Sequence, residues 1–187
     1  MLPPLHANQT VLDVGSRLGA VLYGAYLFSG AGKIVGIEVN KDLCDLQNHV
    51  IQSFGFSGRT SVIHADITTR SDVISYADVI ILNNVFEWFV EEANHASMWQ
   101  FLFANVKEGT MLVTMPSLQK STEGIPLGFA LEQWVKPLNH LQVHDTILPT
   151  KDNMSESVYL YQVISKTNHI NGNISGSMCD NEDHMKI

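Results

Sequence analysis

Four short stretches hold most of the residues with chemistry to offer. The first, Val11-Leu12-Asp13-Val14-Gly15-Ser16-Arg17-Leu18-Gly19, carries an apolar segment into a loop containing two glycines. Such a loop lets the backbone approach a ligand where a Cβ would collide, and the helix that follows presents N–H groups at its N-terminus. A dinucleotide site would want G-x-G-x-x-G, which from Gly15 places glycines where the chain has Arg17 and Ala20. The register that fits is D-x-G-x-x-x-G, with Asp13 inside the strand end, so a nicotinamide-dependent dehydrogenase is disfavoured. The second stretch, Gly36-Ile37-Glu38-Val39-Asn40, sets Glu38 roughly 20 residues after the loop, with Val39 beside it. An acid at that place can accept hydrogen bonds from both ribose hydroxyls of an adenosine and would repel a 2′-phosphate. In the third, His64-Ala65-Asp66-Ile67, a carboxylate and an apolar neighbour suit an adenine amino group and ring face. The fourth is Leu82-Asn83-Asn84-Val85-Phe86.

These stretches need elements that bring them to one place. Short β-branched runs alternate with segments of helical period, which is the pattern of a parallel sheet covered by helices on both faces. The spacing predicts strands over 10–14, 33–39, 60–64, 78–82 and 110–115, then two more over 141–148 and 157–165. Helices are expected over 18–29, 41–54 and 91–105, each stopped near a glycine (Gly30, Gly55, Gly109), and a short one over 129–136 before Pro137. All four chemical stretches then close strands 1 to 4 at their carboxyl ends, facing the crevice where open α/β sheets bind ligands. Beyond about residue 166 the sequence turns to Asn, Gly, Ser and acids without apolar period, so a domain over 1–166 and a disordered polar tail over 167–187 are expected.

In these motifs and their order, the chain resembles the class I S-adenosylmethionine-dependent methyltransferases over about residues 10–165. The resemblance implies a Rossmann-like α/β fold with a seven-stranded, mostly parallel sheet of order 3-2-1-4-5-7-6, the last strand antiparallel. It implies S-adenosyl-L-methionine as cofactor, S-adenosyl-L-homocysteine as product, and transfer of the methyl group to an acceptor nucleophile. Asp13, Gly15 and Gly19 match the family's first motif, with Ser16 and Arg17 in the same loop; Glu38 matches its ribose-binding acid, with Val39 beside it. Asp66 with Ile67 matches the adenine side, and Asn83 the position after strand four. Within the class, VIILNNVFEWF followed by FANVKEGTMLVTMPS is similar to the Dot1-type histone-lysine methyltransferases. Asn83 is the acceptor-side candidate, its carbonyl able to orient an amine while Phe86 and Trp88 wall the pocket, and Asn83 and Phe86 are expected to border the cofactor as well; the Dot1-type likeness makes Tyr159 in the last strand a second catalytic candidate, and a protein lysine or other amine is the first acceptor, nucleic acid or a small molecule the second.

Arg17 departs from the family pattern, standing where a middle glycine is usual. If that site needs a positive φ, its side chain either points away from the ligand or pairs with the cofactor carboxylate. That departure, the few residues before the first strand, and the aromatic segment Phe86-Glu87-Trp88-Phe89 also suit a catalytically silent relative acting as a partner-binding module or oligomer. His140 and His144 sit four apart on an expected strand without a third ligand nearby, so no metal is expected. The 187 residues carry 11 Lys+Arg against 19 Asp+Glu, a net charge of −8, which lacks the basic footprint of an autonomous nucleic-acid binder. Cys44 and Cys179 form no CxxC pair, the N-terminus MLPPLHANQT has no secretory pattern, and no apolar run approaches a membrane span. An intracellular, cytoplasmic or nuclear protein without membrane contact is the expectation.

Overall fold

The computed structural model describes residues 4–84, 91–142 and 157–165. Phe86, Trp88, His144 and the tail from 167 onward lie outside the described residues. Seven strands form one sheet: β1 (Thr10–Val14), β2 (Lys33–Glu38), β3 (Thr60–His64), β4 (Val79–Asn83), β5 (Met111–Met115), β6 (Val135–Gln142) and β7 (Ser157–Val163). Their order is β3-β2-β1-β4-β5-β7-β6, with β7 antiparallel to both neighbours, as the family resemblance implies. Among the described residues the α-helices are α1 (Ala20–Phe28), α2 (Lys41–Ser53), α3 (Ser71–Tyr76), α4 (Glu92–Asn105) and α5 (Leu118–Ser121). No helix among the described residues is long and apolar enough to cross a membrane.

Strand alternation divides the core between the two sheet faces. Leu12, Val14, Val35, Ile37, Ile80, Leu82 and Leu112 pack with Val73 and Ile74 of α3 and with Trp99 and Leu102 of α4. Val11, Ile34, Val79, Val113 and Leu160 point the other way, with Leu22 of α1. By the same period of two, Asp13 shares its face with Val11, Glu38 with Ile34, and Asn83 with Val79. That parity places the polar strand-end residues on the α1 side.

Three expectations are corrected. The helix expected over 18–29 begins only at Ala20, because Gly19 takes a left-handed φ of 80° and leaves Leu18 in the loop, 61% exposed. The short helix over 129–136 is a single 3-10 turn, Leu131–Gln133, and the chain is already in β6 at Val135. Pro137 does not stop that strand: β6 is the edge of the sheet, and the pairing shifts register between Pro137 and Asn139, the setting in which a residue without an N–H is tolerated. The strand expected over 141–148 therefore starts six residues earlier, and its expected remainder, 143–148, lies outside the described residues. Helices α3 and α5, both short, were not legible from periodicity.

One polar node ties the far end of the sheet together. The Asp78 carboxylate accepts the Thr10 N–H and the Lys107 ammonium, each at 2.8 Å, joining the starts of β1 and β4 to the loop before β5. Burial opposes its ionisation, but the Lys107 ammonium and the Thr10 N–H outweigh that and hold it below the usual carboxylate range.

Candidate functional site

The loop after β1 is built from left-handed residues at alternate positions, with φ of 70° at Gly15, 47° at Arg17 and 80° at Gly19. Gly15 and Gly19 adopt this freely, whereas Arg17 bears a cost of roughly 1 kcal/mol. The loop is fastened through its own amides: Gly15 and Ser16 donate to the Ile37 carbonyl at 2.8 and 3.1 Å, and Gly19 donates to the Ser16 carbonyl at 2.7 Å. Gly36 allows the close approach. A Cβ there would lie 2.7 Å from Ser16 Oγ and 2.8 Å from Leu22 Cδ1, so only glycine lets the loop and α1 settle on β2.

Glu38 organises the next turn. It is 6% exposed, and its two oxygens accept the Arg17 N–H and the Asn40 N–H, both at 2.9 Å. Asn40 in turn caps α2, its Oδ1 accepting from Asp42 and Leu43 N–H at 2.9 and 3.2 Å. The end of β3 is drawn in by the Ala65 N–H on the Glu38 carbonyl and by His64 Nε2 against the Val39 carbonyl. Each Glu38 oxygen retains a second lone pair for a ligand hydroxyl.

Asp13 lies behind Gly15, 3% exposed. Burial, and then the neighbouring Glu38 charge, push its carboxyl up to about 7. Beyond β3, Asp66 caps a 3-10 turn, its Oδ1 accepting the Thr68 N–H and hydroxyl at 2.8 Å each, while Ile67 is buried beside it. At the end of β4, Asn83 is exposed and its Oδ1 accepts from Asn84 Nδ2 at 3.2 Å; Asn84 holds a left-handed φ of 50°.

These strand ends enclose a crevice of about 350 Å³, within the roughly 300–1,000 Å³ usual for small-molecule sites. It is lined by Val14, Gly15 and Arg17 from the first loop, Ile37, Glu38 and Val39 from β2, Asn40 and Leu43 at the start of α2, Ala65, Asp66 and Ile67 after β3, Asn83 from β4, and Met98 from α4. Of the residues singled out in the sequence, the structure brings Gly15, Arg17, Glu38, Val39, Asp66, Ile67 and Asn83 together around it. Asp13, Ser16 and Gly19 support the loop without lining it. Tyr159 stands apart: with Tyr161 and Val163 it faces the other side of the sheet, half-buried against the larger core. Asn40, Leu43 and Met98 were missed. Asn40 had a signal, as an Asx residue just before an apolar-periodic run; Met98 arrives from the middle of a helix and had none.

No family model and no curated protein matches this sequence. Solved structures do match in fold. An RNA methyltransferase from Salinibacter ruber, solved in complex with S-adenosyl-L-homocysteine, aligns with TM-score 0.59 at 19% identity over 86% of this chain and 84% of that one. An rRNA methylase from Streptococcus thermophilus gives 0.59 at 12% identity, over 86% and 90%. The N-methyltransferase NodS from Bradyrhizobium japonicum gives 0.58 at 13%, over 84% and 86%. The chain has the Rossmann-like fold that these methyltransferases share.

Proposed function

We propose that the chain binds S-adenosylmethionine in this crevice and moves its methyl group to an acceptor nucleophile at the Asn83 end. The observation that carries this reading is the buried Glu38 carboxylate, aimed by two backbone N–H groups and standing between a glycine loop and an acidic-apolar pair, in a fold shared with a methyltransferase solved with S-adenosylhomocysteine. The residues present fit the cofactor. Glu38 would hold the ribose hydroxyls, Asp66 and Ile67 the adenine edge and face with Val39 alongside, and the Gly15–Gly19 loop the amino-acid end. When bound, S-adenosylmethionine supplies an electrophilic sulfonium methyl. The protein's part is alignment of the acceptor and exclusion of water, which asks for positioned polar groups more than for a strong base. Asn83, exposed at the end of β4, offers an amide that can orient an amine. The matching structures include enzymes named for RNA and for nitrogen acceptors, so the shared fold favours no single acceptor and lends no weight to protein lysine.

A binding module without catalysis gains support from one observation: Asn83 Oδ1 is already engaged by Asn84. Calorimetric titration with S-adenosylmethionine and S-adenosylhomocysteine, on wild type and Glu38→Ala, tests the cofactor reading. Absence of binding at millimolar ligand overturns it, and unchanged affinity in Glu38→Ala overturns the ribose assignment. Radiolabelled methyl transfer into protein, RNA and small-molecule fractions then separates the acceptors, and binding without transfer into any of them selects the silent module.

A further inference from the structure

The outer face of α1 carries a surface that the crevice does not use. Between Arg17 and Lys33 the chain has no charged residue, so α1 is apolar all round, as a helix is when both its faces are covered. One face is: Leu22 is buried against the sheet, with Ala25 and Tyr26 packed beside it. At 3.6 residues per turn the opposite face is Ala20, Gly24, Leu27 and Phe28. No described residue covers it, and Phe28 is 89% exposed. Phe54, following α2, adds a second ring, 70% exposed, and Phe56 joins it to α1, its ring lying 6.0 Å from that of Phe54 and 4.4 Å from that of Tyr26. Phe28 is not on a fraying end. Arg59 donates to the Tyr26, Ser29 and Ala31 carbonyls and Ser29 Oγ donates to the Ala25 carbonyl, which fastens the last turn of α1 and holds the ring in place.

Gly24 points to what covers this face. A Cβ there would meet nothing within 4 Å, so packing within the chain does not require glycine, and glycine inside a helix weakens it relative to alanine. A bare backbone at that point does let a second helix approach closely from outside. Ala20 stands one turn before it and Phe28 one turn after. In an antiparallel pair crossing at Gly24 about a twofold axis, Phe28 of each copy lies over Ala20 of the other, large against small, and every contact is made twice. Charge favours the same occupant: the chain carries a net −8, so two copies repel unless they meet on a face without charge. Area suffices as well. With about 200 Å² for a whole phenylalanine, Phe28, Phe54, Leu27 and their half-buried flanks expose roughly 500 Å² of apolar surface. Two copies covering each other would remove about 1,000 Å², where specific interfaces begin. We propose that the chain forms a twofold dimer in which α1 packs against α1 of a second copy, an arrangement that holds whether or not the crevice takes the cofactor.

Analytical ultracentrifugation of the full chain over a concentration series tests it. Wild type is expected to dimerise, and Phe28→Glu to weaken the dimer at least tenfold by setting two like charges into the pair. Gly24→Leu should weaken it as much by blocking the crossing, yet melt no lower than wild type where both are monomeric, because leucine is the better helix former. Leu138→Glu, at an exposed apolar residue on the far edge of the sheet, should leave the dimer within twofold of wild type. Gly24→Cys, combined with Cys179→Ser and with Cys44 buried, should cross-link two copies on mild oxidation, since a disulfide needs the two backbones close together. A wild type that stays monomeric overturns the proposal, whatever covers the face. So does a dimer that survives Phe28→Glu and Gly24→Leu, or a Gly24→Cys protein that does not cross-link.

Discussion

Asn in place of Asp13 should change how the stability of this protein responds to pH. Asp13 is 3% exposed, and its carboxyl is raised from 3.8 to about 7 by burial first and by the Glu38 charge second. An acid whose pKa is raised on folding keeps its proton in the folded state where the unfolded chain has already lost it. Its contribution is therefore fully present below about pH 4, declines as pH rises toward 7, and is flat above that. A shift of about 3 units corresponds to about 4 kcal/mol in all, and to about 3 kcal/mol between pH 4.5 and pH 8. Urea denaturation of wild type and Asp13→Asn at pH 4.5, 6 and 8 measures it, the variant serving to cancel every other titrating group. The stability gap should move in favour of Asp13→Asn by about 3 kcal/mol across that range. Glu38→Gln should remove the smaller share of the slope, since burial is the larger cause. Parallel pH curves for wild type and Asp13→Asn, within about 1 kcal/mol, would refute the assignment of a protonated Asp13 near neutrality.

Gly36→Ala should destabilise by about 1–3 kcal/mol and weaken nucleoside binding, because the new methyl meets Ser16 Oγ at 2.7 Å and Leu22 Cδ1 at 2.8 Å. Thermal melting reads the first effect and calorimetry the second; an unchanged melting temperature would mean that the loop yields. Lys107→Met removes the ammonium from the Asp78 carboxylate and from the Tyr76 carbonyl, and at pH 7 should cost about 1 kcal/mol at this partly exposed node. Because the Asp78 carboxyl is lowered in the folded protein, the stabilisation exists above the unfolded carboxylate range near pH 4 and disappears as pH falls through the folded value. The gap between wild type and variant, followed by denaturation from pH 7 downward, should therefore close.

What the sequence disclosed and what it hid have physical reasons. The strand ends were legible because the chemistry there is local: Asp13, Gly15 and Gly19 mark a turn that few other residues can make, and Glu38 comes at a fixed distance after it. The edge strand was hidden because Pro137 reads locally as a stop, and only the knowledge that, among the described residues, β6 has no partner on its outer side removes the objection. Helix α3 is six residues long, too short to declare a period. Tyr159 shows a different limit. Alternation along β7 puts it opposite Leu160, but which of those two faces the α1 side is decided by the register with β5, where Tyr159 pairs with Thr114. Met98 needed the path of α4, which no pattern in its own segment contains.

The loop amides also bear on which nucleotide the crevice can take, independently of the glycine spacing. A pyrophosphate is ordinarily held by free N–H groups in the turn after β1 and at the start of the following helix. Here Gly15 and Ser16 donate to the Ile37 carbonyl, Arg17 donates to the Glu38 carboxylate and Gly19 donates to the Ser16 carbonyl, so most of the turn's donors are consumed by the fold itself. Two negative charges placed over that turn would face Glu38 and Asp66 in the lining and would raise the energetic penalty of ionising Asp13 still further. A sulfonium with an α-amino group has the opposite sign at the same location, and its single carboxylate has Arg17 within the lining. Glu38 and Asp66 in the lining thus work against a dinucleotide and suit a cationic adenosyl ligand. Asp13, which burial and then the Glu38 charge keep protonated below about pH 7, contributes little to that selectivity, which comes from the ionised groups at the lining.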